Sequence, residues 1–187
     1  MLDPWFKNAY PLKHLKKMLY WAWAEYRVLR DAKHVLFTCQ EEMKLAKNSF
    51  RRYKVAPKIA ALGIESAPEN HDELKAKFFL TFPEIQNRRI FLFLSRIHEK
   101  KGLDLLIEAF SEASKQDQQL VLAIAGPGSE REITALKLKA EKLGVSDSLL
   151  WLGMLQGDLK WGAFYACELF CLPSHQENFG IVVAEAM

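Results

Sequence analysis

The chain has 187 residues, of which 50% are hydrophobic and 26% charged, a composition typical of globular proteins that excludes disordered and fibrous classes. Its 26 basic and 23 acidic residues give a formal net charge of +3, which is too small to indicate nucleic acid as a partner but suits anionic substrates or a membrane rim. The three cysteines are odd in number and two lie in apolar surroundings, so we expect a reducing compartment. No histidine or fourth cysteine lies beside them at ligand spacing, so we expect no bound metal.

The opening of the chain predicts a helix. Charged residues and a proline interrupt the first twenty residues, so we expect neither a signal peptide nor a spanning helix, and a cytoplasmic protein with at most peripheral contact at the inner face of the membrane. Trp21 and Trp23 cannot share one helix face. Apolar residues recur at three- and four-residue steps, which predicts one amphipathic helix that buries this stripe: Leu12, Leu15, Leu19, Ala22, Tyr26 and Leu29.

A strand and a helix are predicted next. The short apolar run of residues 35–37 is typical of a strand. Thr38 and Glu41 have the spacing of a capping box, which predicts a helix from there to about Phe50.

Residues 53–70 are predicted to connect two domains. This stretch contains two prolines and a glycine among small and polar residues. We place the boundary near Gly63, with residues 1–63 as the end of one domain and residues 64–187 as part of a second.

The second half of the chain predicts an α/β fold. Four apolar runs alternate with helix-like segments, which indicates a parallel sheet with crossover helices: residues 90–94, 120–125, 149–152 and 169–172. Two of these segments carry an apolar stripe that can cover the sheet: Leu103, Leu106, Ile107 and Phe110, and Ile133, Leu136, Ala140 and Leu143. We therefore predict a Rossmann-like domain.

Loops after the strands are the places to look for a ligand site, because open parallel sheets bind ligands beyond the carboxyl ends of their strands. The loop after the first run holds Arg96 and Lys101, which could bind a diphosphate with a guanidinium fork and a point charge, or be ordinary surface charges. The loop 126–129, followed by Glu132, suits a turn and a helix cap. It matches neither the dinucleotide fingerprint nor the P-loop, which argues against NAD chemistry and ATP hydrolysis.

The strongest signal is a pair of glutamates, Glu177 and Glu185, with seven residues between them. We expect a helix from about Phe179, whose free N–H groups would face a phosphate and whose Gly180 allows close approach. Glu185, about one and a half turns inside, could accept hydrogen bonds from a ribose diol, while Glu177 faces the sugar. Since the neighbours of Glu185 are apolar, its carboxylate needs a partner.

The same loop allows two other kinds of chemistry. The two glutamates could be a glycosidase pair, which needs carboxyls roughly 5 to 9 Å apart, but that reading gives no reason for the basic residues nearby. His175 could be a general base, although a loop histidine is more often a surface residue.

Two segments resemble motifs of the family 4 retaining glycosyltransferases of GT-B fold. S-R-I-H-E-K-K-G is similar to the family's G-R-L-x-x-x-K-G loop, with Ser95 in place of Gly and Ile97 in place of Leu, and E-N-F-G-I-V-V-A-E matches its E-x7-E element. The resemblance implies that Arg96 and Lys101 bind the donor diphosphate, and that the base lies near Met154 and Leu155. It assigns further donor contacts to Glu177, which binds the transferred sugar as the catalytic residue, to Asn178, Phe179 and Gly180, and to Glu185, which binds the ribose.

By the same resemblance, a sugar moves from a UDP- or GDP-linked donor to a glycan, lipid or small-molecule acceptor with retention, as in polysaccharide biosynthesis, and without a metal or other cofactor. The alternatives are a GT-B nucleotide-sugar epimerase or phosphorylase, and a non-catalytic module that binds sugar nucleotides. The last segment begins a helix without a stop signal, so we expect a chain truncated at both ends and weakly active or inactive alone.

Overall fold

The computed structural model describes residues 10–50, 52–175, 177 and 179–187. The chain divides into two compact units, Met1–Gly63 with Glu177–Gly180, and Ile64–Gln176 with Ile181–Met187. The division after Gly63 falls where the connection was placed, but the loop 177–180 groups with the first unit rather than the second. The assignment of these parts to acceptor and donor domains stays a prediction.

The first unit begins with a continuous helical stretch, formed by α1 (Pro11–Tyr20), a π-helical turn (Trp21–Glu25) and α2 (Tyr26–Asp31). The helix is as predicted, but the buried face is not. Leu12 is 83% exposed, and Leu15 and Leu19 are exposed as well. His14 and Trp21 are buried instead, because their rings stack on Phe50 at centroid distances of 5.3 and 4.6 Å. Trp23 is exposed, so the two tryptophans indeed lie on different faces.

Two short parallel strands follow in this unit, β1 (Val35–Phe37) and β2 (Pro57–Ile59), which pair from Val35 with Pro57 to Phe37 with Ile59. β1 is the predicted strand. β2 was assigned to the connection, because proline is rare in strands except at edges and at the first residue, the position it holds here.

Helix α3 (Gln40–Ala46) follows β1 and precedes β2 in the sequence, and it begins one residue later than predicted. Its N-cap is Cys39, whose sulfur accepts from the N–H of Glu42 at 3.4 Å. The Glu42 carboxylate accepts in return from the N–H and hydroxyl of Thr38 at 2.8 and 2.7 Å. Glu42 rather than Glu41 therefore closes the turn, and the helix ends before Phe50.

The second unit has a parallel sheet with crossover helices. Its elements are α4 (His71–Thr81), β3 (Arg89–Leu94), α5 (Leu103–Ser114), β4 (Leu120–Ala125), α6 (Glu130–Lys142), β5 (Leu149–Gly153), α7 (Gly157–Ala166), β6 (Leu169–Phe170) and α8 (Ile181–Glu185). The four strands are parallel in the order β5-β4-β3-β6. This arrangement confirms the predicted Rossmann-like α/β fold.

The sheet is covered on both faces. All six residues of β4 are buried, and they alternate between two apolar clusters: Leu122 and Ile124 belong to the cluster with α5 and α6, and Val121 and Ala123 to the cluster with α4 and α7. The predicted stripe of α5 is buried in full. In α6 the stripe ends at Ala140, because Leu143 lies beyond the last helical residue and is exposed.

Helix α4 was not predicted. It buries only Leu74 and Phe78 and is otherwise rich in charged residues, so it lacks the repeating stripe on which sequence reasoning depends. Its burial comes from α7, where Gly162 lies so close to the Leu74 carbonyl that a Cβ would overlap it. The Tyr165 hydroxyl also donates to the Pro68 carbonyl at 2.6 Å.

Within the residues described, no helix is both long enough and apolar enough to cross a bilayer. The location in the cell stays a prediction.

Candidate functional site

The strand order creates a switch point beside β3. From β3 the chain moves to β4 and then β5 on one side, and β6 returns to the other side of β3. The strand order therefore reverses between β3 and β6, and the loops after these neighbouring parallel strands leave the same edge of the sheet, which is where open α/β sheets bind ligands. These are the two loops that resemble the family motifs, and strand order brings them together.

The two loops are in direct contact. The His175 N–H donates to the Lys100 carbonyl at 3.0 Å. Gly102 has a left-handed backbone, with φ of +66°, and a Cβ at this position would overlap the Pro173 carbonyl oxygen. Only glycine fits both conditions, so Gly102 fixes how closely the loops approach each other.

The loop after β4 supports the loop after β3. The Ile97 N–H donates to the Pro127 carbonyl at 2.7 Å, and Ile97 forms an isolated parallel bridge with Gly128. The predicted capping box is confirmed, because the Ser129 hydroxyl accepts from the Glu132 N–H at 3.3 Å and the Glu132 carboxylate accepts from the Ser129 N–H at 3.4 Å. This segment therefore forms a turn and a helix cap, and its Gly126 lies close to the chain's own backbone.

The basic residues after β3 are held at the mouth of the sheet by a short 3-10 turn, Glu99–Lys101. His98 caps this turn, since its Nδ1 accepts from the Lys100 N–H at 3.1 Å. Lys101 is half-buried at the end of the turn. Arg96 is exposed and, within the described part of the chain, its guanidinium forms no ion pair, so its donors can meet a ligand.

Helix α8 begins later than predicted. It starts at Ile181 rather than near Phe179, because Gly180 has a left-handed φ of +68° that a right-handed helix cannot include. Glu185 is its last residue, about one turn from the start. The phosphate contact expected near the start of this helix stays a prediction.

Glu185 has the polar partner that we expect for a carboxylate among apolar neighbours. The Lys160 Nζ, on α7, donates to Glu185 Oε1 at 2.9 Å. The two side chains are 22% and 19% exposed, respectively. Lys160 Nζ also lies 4.5 Å from the centre of the Trp161 ring. Sequence reasoning missed Lys160, although the demand for a partner was a signal that could have led to it.

The remaining predicted residues are placed as follows. Glu177 is exposed and belongs to the segment that groups with the first unit, and Asn178 lies outside the described residues. In the proposed base region, Met154 is exposed, whereas the Leu155 side chain is buried in the core with α4 and α7.

Among the described residues, no group of three or more His, Cys, Asp or Glu side chains could hold a metal ion. The reaction's independence of metal stays a prediction.

The structure defines a Rossmann-like α/β domain in which the loop that bears Arg96 and Lys101 contacts the loop after β6 at the switch point of the sheet. The family described as glycosyl transferases group 1 matches residues 75–187, which is more than half of the chain. The protein belongs to this family.

Two curated relatives illustrate the match. The alpha-monoglucosyldiacylglycerol synthase of Streptococcus pneumoniae is 27% identical over 157 residues, which is 80% of this chain and 34% of the relative. The alpha-D-kanosaminyltransferase of Streptomyces kanamyceticus is 26% identical over 170 residues, which is 88% of this chain and 42% of the relative. The chain thus spans less than half of the length of either.

A solved structure supports the fold. The crystal structure of Anabaena HepE in complex with UDP and glucose superposes with a TM-score of 0.74 at 20% identity, over 90% of this chain and 46% of HepE. At this identity the likeness concerns the GT-B type fold alone.

Proposed function

We propose that this chain forms the nucleotide-sugar-binding part of a group 1 glycosyltransferase that transfers a sugar from a nucleotide-diphosphate donor to an acceptor hydroxyl with retention. One observation carries the proposal: the loops after β3 and β6 meet at the switch point, with Arg96 and Lys101 on the first and α8 with Glu185 after the second. The family match and a structural neighbour that binds UDP and glucose support it.

The basic residues suit the diphosphate. A guanidinium can donate two parallel hydrogen bonds to phosphate oxygens, and an ammonium adds a compact charge. In the proposed reaction the bond between the anomeric carbon and the diphosphate breaks, so negative charge grows on the leaving group. Arg96 and Lys101 would stabilise that charge, and the proposal needs no metal ion or other cofactor for this purpose.

The carboxylates suit the hydroxyl-rich parts of the donor, since an ionised carboxylate only accepts hydrogen bonds. We assign Glu185 to the ribose and Glu177 to the transferred sugar as the catalytic residue. Asn178, Phe179 and Gly180 complete the donor contacts, and the base lies near Met154 and Leu155. The retained configuration is supported by the match to the E-x7-E element.

The acceptor class is a glycan, a lipid or a small molecule. The proposed location is the cytoplasm, with peripheral contact at the inner face of the membrane as the place where a lipid acceptor would be met.

Calorimetric titration with UDP, GDP and their sugar conjugates tests the proposal. We expect the chain to bind one of the two nucleotide series, and Arg96→Ala to weaken binding about tenfold, as for the loss of a charge-assisted hydrogen bond. Arg131→Ala is the matched control, because Arg131 is an exposed arginine on α6.

Failure of the folded chain to bind either series, or equal binding by the two arginine variants, would contradict the donor site. Transfer is tested separately by NMR of the product formed with a simple glycoside acceptor. A product with inverted anomeric configuration would contradict retention.

A further inference from the structure

We infer that Lys160 is a positioning residue for ribose recognition, which holds the Glu185 carboxylate so that one oxygen remains directed to the ligand. The inference rests on the proposed function, because it takes Glu185 as the ribose-binding carboxylate. It adds Lys160, which lies on helix α7, outside both loops of the site and outside both sequence motifs.

The Lys160–Glu185 pair is more sheltered from water than the ion pair that joins α4 and α7. Lys160 and Glu185 are 22% and 19% exposed, whereas Lys77 and Asp158, which pair between α4 and α7 at 2.9 Å, are 45% and 63% exposed. Water and salt screen a sheltered pair less. The Lys160–Glu185 contact therefore constrains its partners more strongly than a surface pair does.

The geometry leaves half of the carboxylate available. The Lys160 ammonium bonds to Oε1 of Glu185. No other described residue hydrogen-bonds to this side chain, so Oε2 keeps its lone pairs. A ribose diol offers two hydroxyl donors, which suits one free carboxylate oxygen.

Lys160 is itself well fixed. Its ammonium lies 4.5 Å from the centre of the Trp161 ring, a cation–π distance. It lies on α7, a helix that packs on α4 through the close approach of Gly162 to Leu74. The ion pair therefore ties the orientation of α8 to a rigid neighbour.

This arrangement predicts a selective defect. If Lys160 positions Glu185, its loss harms only those ligands whose ribose hydroxyls reach the carboxylate. If Lys160 only supplies positive charge near the diphosphate, its loss weakens the binding of every nucleoside diphosphate equally, whether or not the ribose carries its two hydroxyls.

The test is titration of Lys160→Met with the nucleoside diphosphate that the parent chain binds and with its 2′,3′-dideoxy counterpart. We expect binding of the ribonucleotide to fall about tenfold and binding of the dideoxy compound to fall less than about twofold. Lys160→Arg, which keeps the charge and a donor, should restore ribonucleotide binding. Lys137→Met is the matched control, since its ammonium likewise lies over a tryptophan ring, 5.6 Å from the centre of Trp151.

A double-mutant cycle completes the test. In a Glu185→Gln background, Lys160→Met should have little further effect on ribonucleotide binding, because the residue that it positions is already altered. Equal losses of affinity for both ligands, or no loss for either, would overturn the inference. The proposed function would still stand in that case, because the parent chain binds the nucleotide. A parent that binds no nucleoside diphosphate would overturn both.

Discussion

The two units of this molecule differ in how completely they bury their apolar residues. In the second unit every residue of β4 is buried and both faces of the sheet are covered by helices. In the first unit all three residues of β2 are exposed, and Leu12 projects from α1 with 83% of its surface exposed. The comparison shows that an apolar stripe predicts a helix in both units, but predicts burial only where another layer faces it.

The two units also differ in whether their buried polar groups have hydrogen-bond partners. In the second unit the buried Ser111 hydroxyl donates to the Glu108 carbonyl at 2.7 Å. In the first unit the Ser49 and Tyr53 hydroxyls are buried with no hydrogen-bond partner among the described residues. Each such group costs about 1–3 kcal/mol, and burial also raises the pKa of Tyr53. We therefore expect the second unit to be the more stable of the two.

The largest expected effect comes from Phe78→Ala, which should lower the free energy of unfolding of the second unit by about 3–5 kcal/mol because this fully buried ring leaves a cavity. Leu12→Ala should change the free energy of unfolding by less than about 0.5 kcal/mol. Denaturant unfolding, with hydrogen exchange to locate the change, measures both. An equally large loss in Leu12→Ala would show that the stripe of α1 is buried in solution and would break the comparison.

A smaller effect is expected from Gly102→Ala, which should cost about 1–3 kcal/mol and weaken nucleotide binding, since it strains the backbone and pushes the Pro173 carbonyl away. Gly144→Ala is a close control: Gly144 is also left-handed, with φ of +71°, but nothing lies within 4 Å of an added Cβ. The difference between the variants isolates the contact between the two loops. Nucleotide binding that falls equally in both would argue against that contact shaping the site.

The smallest effect concerns the Cys167 thiol, which donates to the Phe164 carbonyl at 3.2 Å. Burial raises the pKa of Cys167 to about 11, so the folded state favours the protonated thiol. This contribution to stability is complete below the ordinary thiol pKa, near 9, and is lost as the pH rises towards 11. Alkylation of Cys167 by iodoacetamide, followed by mass spectrometry, should accelerate up to about pH 11. A plateau near pH 9 would show that the thiol is not shielded by the sheet.

Sequence reasoning succeeded where a local rule applies. The run of residues 120–125 is a strand with the same bounds, the Ser129 cap closes on Glu132, and the apolar stripe of α5 is buried. It failed at α4, where only Leu74 and Phe78 are buried, because one pair at helical spacing is too short to stand out as a repeating stripe. It also misplaced the start of α8, because whether Gly180 ends a loop or enters a helix depends on a backbone angle that residue type alone leaves open.

For the site, the motifs identified which loops matter, and the apolar neighbours of Glu185 showed that it needs a partner. Neither the strand order that places the loops side by side nor the identity of Lys160 was predictable, since the two members of that pair are separated by a strand and a long loop. Pairings of this kind are decided when helices pack on a sheet.

The sequence by itself determined the class of fold, three of the four sheet strands to within a residue and the chemistry of the two loops, because alternation, capping and motif spacing are local properties of the chain. Only the tertiary structure decided that β6 lies beside β3, that Gly102 meets Pro173, and that Lys160 holds Glu185. These contacts join residues distant in sequence, and they follow from packing of the sheet and its helices as a whole.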